Sequence, residues 1–180
     1  MATEKHKVFV SFHSADIGYK KEFERLFHNT YEVIISYSVQ ENDISANIST
    51  DTVRKKIRDE YLRDSTVTVI LIGKETWQRK HVDWEISSSL RHTEFNPRSG
   101  LLGIFLPTHT AYLSRTYDPH TIPPRLAANA KLGYAALIDW TTDPQLIQSF
   151  IHQAFLKKDV VIPDNSYPNF ANNRTGDRWS

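Results

Sequence analysis

Short apolar runs alternate with amphipathic stretches along most of the chain. Val8-Phe9-Val10-Ser11-Phe12 is β-branched and aromatic, and it ends in the polar turn His13-Ser14-Ala15-Asp16, which predicts a first strand and its loop. Tyr19, Phe23, Leu26 and Phe27 then recur at helical spacing among Lys20, Lys21, Glu22 and Glu24, the pattern of a helix with one apolar stripe. Val33-Ile34-Ile35-Ser36-Tyr37 predicts strand two, and the polar stretch Gln40 to Thr50 a long loop or flap. Val53, Ile57 and Tyr61 stack on one face behind a cap from Ser49 or Thr50 with Asp51, so a second helix is expected to run to about Leu62. The run Val67-Thr68-Val69-Ile70-Leu71-Ile72 is the most apolar segment and reads as a central parallel strand, ended by Gly73. Val82, Ile86 and Leu90 mark a third helix, and Leu101 to Leu106 a fourth strand that stops at Pro107. From Pro107 to Gly133, Pro119, Pro123 and Pro124 predict an irregular insertion wrapped over the surface. Ala135 to Asp139 supplies a fifth strand, and Ile147, Phe150, Ile151, Ala154 and Phe155 the stripe of a last helix. Residues 1–163 thus read as a single domain, and 164–180 as a loosely ordered tail.

Strands that alternate with helices favour a parallel sheet, because each right-handed crossover returns the next strand in the same direction. The expected fold class is α/β: a flavodoxin-like three-layer sandwich around a five-stranded parallel sheet of order 2-1-3-4-5. In that order the helices after strands one and three lie on opposite faces, and a crevice opens at the carboxyl ends of the two strands, where ligands bind. The loops feeding it are Ser11 to Asp16 and Gly73 to Arg79, both polar and each with an aromatic residue.

Composition narrows the chemistry. Lys plus Arg number 22 against 21 Asp plus Glu, so no strong field draws nucleic acid or an anionic membrane to the chain. With no cysteine, disulfides, thiolate nucleophiles and Cys-type zinc sites are excluded, and a cytoplasmic location is expected. No apolar run is long enough to span a bilayer, and the first residues lack the apolar core of a signal peptide. The strand-one loop has no G-x-G-x-x-G turn and no P-loop occurs, so a nucleotide would be held without those glycine cradles. A phospho-acceptor receiver needs an Asp at the end of strand three, where this chain has Ile72-Gly73.

On the third helix His81, Glu85, Ser89 and His92 form a stripe beside the apolar face, which places Glu85 near the crevice as either a ligand-reaching carboxylate or a solvated boundary residue. His81 and Glu85 are four apart, as helical metal ligands are, but no third ligand is evident and no metal is expected. Trp77 can stack on a ring or simply pack. Trp84 points away from Val82 and Ile86 and must meet the insertion, another element or a second subunit. His13 can act as acid or base or do neither, and Asp16 can cap the first helix.

The phrases Val8 to Asp16, Val69 to Trp77 and Val82-Asp83-Trp84-Glu85-Ile86, in that order and spacing, resemble the TIR-like family, and in particular the TIR proteins of bacterial Thoeris antiphage defence. The resemblance covers roughly the first 106 residues and fades across the insertion. It implies that Glu85 is catalytic and that NAD is a substrate, with no metal or other cofactor required. The bond cleaved would be the nicotinamide glycosidic bond, and the ADP-ribose-derived product, cyclic or conjugated, a second messenger for a separate effector. Ser11, Phe12, His13, Asp16, Asp43 and Trp77 would line the substrate, with Phe12 and Trp77 against the nicotinamide ring. The implied partners are NAD, the downstream effector reached through that product, a phage-derived trigger and a second copy of the chain. A non-catalytic TIR-type assembly module is the competing expectation, and nucleoside hydrolysis or deoxyribosyl transfer a third.

Overall fold

In a computed structural model the described residues are 4–28, 33–35, 52, 55–94 and 96–180. Their strands β1 (Lys7–Ser11), β2 (Val33–Ile35), β3 (Val67–Ile72), β4 (Gly100–Phe105) and β5 (Ala135–Asp139) form one parallel sheet ordered β2-β1-β3-β4-β5. The helices are α1 (Ile17–Phe27), α2 (Lys80–Ser89), α3 (Pro124–Lys131) and α4 (Pro144–Lys157), and Ile57–Tyr61 forms a π-helical turn.

Strand alternation separates two cores. Val67, Val69 and Leu71 face the layer of α1 and α4, where they meet Phe23, Phe27, Ile147 and Ile151. Ile70 and Ile72 face the opposite layer with Val82, Ile86, Leu126 and Tyr134. Every residue of β3 and β4 is buried, which is why both read as nearly unbroken apolar runs. The result is an α/β structure with a parallel sheet flanked by helices on both faces.

Three expectations change. The insertion is not irregular throughout: Pro124-Arg125-Leu126-Ala127-Ala128-Asn129-Ala130-Lys131 folds as α3, because a proline at the first helical position supplies the right φ and gives up an amide that would have no partner there. Leu126 and Ala127 anchor it on the sheet. The segment 164–180 is not loose. Phe170 is buried, and the segment is held by hydrogen bonds to α2, α3 and the strand-three loop. The second helix is π-helical over Ile57–Tyr61, where Ile57 and Arg58 are buried. Its expected cap, Ser49 to Asp51, lies outside the described residues, as do Ser36, Tyr37 and the flap Gln40 to Thr50. Among the described residues no helix is long and apolar enough to cross a membrane.

Candidate active site

β1 and β3 pair directly, so the loops that follow them open side by side at the carboxyl edge of the sheet. Ser11, the last residue of β1, is fully buried and its hydroxyl donates to Oε2 of Glu85. Glu85 sits in the second turn of α2 at 0% exposure, so the reading as a solvated boundary residue is excluded. One turn earlier His81 donates from Nε2 to the Phe12 carbonyl at 3.1 Å. That bond pins the strand-one loop onto α2. Among the described residues no three metal-ligand side chains converge at Glu85.

A second cluster lies at the mouth. Asp16 is buried over Gly73, and a Cβ added at Gly73 would fall 2.1 Å from its Oδ2. Thr108, in the loop after β4, donates to Asp16 Oδ1 at 3.3 Å. Burial raises the Asp16 carboxyl above its usual range, opposed by the Thr108 bond and assisted by Glu75. Asp16 makes no side-chain cap on α1; its carboxylate accepts from Thr108 instead. His13 lies 3.5 Å from Glu75, and burial, then Arg79, pushes its imidazole down against the pull of Glu75.

The aromatic expectations need correction. Phe12 is 7% exposed and belongs to the core beside α1, with Lys20 5.8 Å from its ring centre. Trp77 is 2% exposed in the short helical turn Thr76–Gln78. Neither ring offers an open face for stacking, because each packs inward from its loop. The indole N–H of Trp77 has no hydrogen-bond partner among the described residues. Asp43 lies outside the described residues.

Glu75 also lines a cleft of about 630 Å³, whose walls include Lys74, Gln78, His109, Asp118 and Arg178 but not Ser11, Asp16 or Glu85. Lys74 and Gln78 belong to the strand-three loop that the sequence pointed to, but His109, Asp118 and Arg178 were not singled out. His109 follows the end of β4 on the same carboxyl edge, and that position was its one available signal. Arg178 arrives through the tail, whose course no periodicity records.

The sequence also missed the support behind α2. Asp83 and Arg125 form an ion pair at 3.3 Å with side chains 1% and 0% exposed. Arg125 also donates to the Tyr167 carbonyl at 2.7 Å, to Asn165 Oδ1 at 2.7 Å and to Asn169 Oδ1 at 2.9 Å. Asp83 Oδ2 accepts the Phe170 amide at 2.9 Å. Burial pushes the Asp83 carboxyl up, and Arg125 and that amide pull it down. Trp84 donates its indole N–H to the Phe170 carbonyl at 2.9 Å, so the tail covers the face of α2 that the helical wheel left open.

A carboxylate enclosed at the carboxyl edge of a parallel sheet, held by a serine hydroxyl and backed by a rigid helix, can stabilise positive charge developing on a bound group. No curated protein matches the chain. The sequence model of the family described as Thoeris protein ThsB, TIR-like domain, matches residues 9–111, which run from within β1 to beyond β4 and include Ser11 and Glu85. A Thoeris domain of this kind supports a role in antiphage defence. With more than half of its length matched and the parallel α/β architecture in place, the chain belongs to the TIR-like domain family of the Thoeris protein ThsB.

Proposed function

We propose that the chain is a TIR-domain enzyme that cleaves the nicotinamide glycosidic bond of NAD, with Glu85 as its catalytic residue. The observation that carries this reading is the Ser11 hydroxyl bonded to a fully buried Glu85 at the carboxyl edge of β1. Nicotinamide leaves its cationic form as a neutral molecule, and the ribose left behind is oxocarbenium-like. A carboxylate kept from bulk water stabilises that charge strongly, because few solvent dipoles compete with it. Ser11 fixes the carboxylate orientation; Asp16 and His13 stand at the mouth, where ribose or phosphate would be positioned. The 630 Å³ cleft next to Glu75 has room for the remainder of the dinucleotide or for the acceptor that takes the ADP-ribose. The product, cyclic or conjugated, is read here as a second messenger that switches on an antiphage effector after a phage-derived trigger.

The test is mass spectrometry of nucleotides from phage-infected cells carrying the wild-type or the Glu85→Gln protein. Phage-dependent loss of NAD and appearance of an ADP-ribose-derived product are expected in the wild type alone. Equal product from Glu85→Gln overturns the assignment.

The complete burial of Glu85 favours a second reading, a non-catalytic assembly module in which the Ser11–Glu85 bond is structural. It predicts protection from phage that survives Glu85→Gln and fails with surface substitutions, with no nicotinamide released in either case.

A further inference from the structure

At the amino edge of the sheet, opposite the crevice, Glu4, His6 and His152 bring one ligand atom each within 4.8 Å of one another. His6 immediately precedes β1 and His152 lies on α4, so residues far apart in sequence meet here. We propose that these three side chains form a binding site for a divalent transition-metal cation of the zinc class.

The His6 Nε2 and His152 Nδ1 atoms face one another at 2.9 Å. Two neutral imidazoles in that arrangement share a single proton. With zinc–nitrogen bonds of about 2.0–2.1 Å, nitrogens at this separation subtend about 90° at a common ion, and opening them by about 0.4 Å reaches the tetrahedral angle. On binding, the donor ring moves its proton to its outer nitrogen, and both facing lone pairs turn to the ion. The rings are held for this. His6 is 4% exposed and stacks on Phe155 with ring centres 4.4 Å apart, while the two imidazoles stack at 5.2 Å.

Glu4 is exposed and adds the anionic oxygen, making a two-histidine, one-carboxylate set that leaves a fourth position for water. Imidazole with carboxylate suits zinc and its transition-metal neighbours, whereas calcium and magnesium demand oxygen alone. Lys158 is the opposing charge nearby; it is engaged by Asp159 at 3.7 Å and lies over the Phe155 ring. Five residues of extended chain, roughly 16 Å, separate His6 from Ser11, so the site stands apart from the Glu85 carboxylate.

The experiment uses the full chain without a histidine tag, stripped with chelator and titrated with Zn²⁺ by calorimetry. Bound metal is counted by mass spectrometry, and Co²⁺ serves as the spectroscopic probe. One ion per chain, a raised Tm and the visible bands of tetrahedral Co²⁺ are expected. His152→Ala should weaken binding roughly tenfold or more, and Glu4→Gln by less, while His120→Ala leaves it unchanged. His6 is buried and its replacement can unfold the chain, so half-buried His152 and exposed Glu4 carry the test. Absence of uptake at micromolar free Zn²⁺, or equal uptake by His152→Ala, overturns the proposal.

Discussion

Gly73 closes β3 directly beneath the Asp16 carboxylate, with the space for a Cβ already occupied by Oδ2. Gly73→Ala must therefore drive Asp16 out of the mouth or bend the end of the strand. Overpacking of this kind costs about 1–3 kcal/mol, so a lower urea midpoint is expected. Adding Asp16→Ala should recover most of the loss, because the clash is with that side chain; strictly additive effects in the double variant would show that the two do not meet. At this scale the sequence was partly legible. Helical counting put Glu85 next to the crevice, yet it could not tell a margin from an interior. That distinction came from its complete burial against Ser11. For Trp77 the sequence left stacking and packing both open, and the ring contact implied for Phe12 and Trp77 came from the resemblance; the structure buries both side chains.

α2 shows why whole elements can be located yet misjudged. Val82, Ile86 and Leu90 were visible as its buried stripe, and Trp84 on the opposite face was expected to meet the insertion, another element or a second subunit, without a sign of which. In the structure Arg125 of α3 and the segment around Phe170 cover that face, so the helix is enclosed on two sides. Their separations, 42 residues for Arg125 and 87 for Phe170, exceed any local pattern. α3 was hidden as well, because its prolines punctuate a stretch that reads as loop, although one of them begins the helix. Arg125→Ala leaves Asp83 buried without its counter-charge and also removes the donors that hold Tyr167 and Asn169. Breaking a pair this way costs about 3–5 kcal/mol, and denaturant unfolding should record it. Hydrogen exchange should rise at the Phe170 amide. Unchanged protection there would mean that Arg125 does not hold the tail.

For the whole molecule, the alternation of strands and helices was enough to predict a parallel α/β sheet, because its buried strands and crossover helices leave strong local signals. Its response to acid was not legible, since it depends on burial. His13 and His109 are both depressed, chiefly by burial, so the unfolded chain takes up protons that the folded one refuses. Their contribution to stability is complete above the ordinary histidine value of about 6.5 and is lost as pH falls through their folded values. Asp16, raised by burial, has the opposite sense: its contribution is present below the ordinary carboxyl range and fades as pH rises through its folded value. Between neutrality and about pH 5 the histidines dominate, and Tm should fall across that range. His109→Gln should flatten the slope; an identical slope would exclude it. The covering of α2 also has a consequence for synthesis. A chain made from its amino end completes β1, Ser11, β3 and Glu85 early, but Asp83 and Arg125 cannot be capped until the stretch around Phe170 has left the ribosome. A nascent chain thus carries Glu85 on a helix whose back remains wet, and maturation of the site waits for the stretch around Phe170.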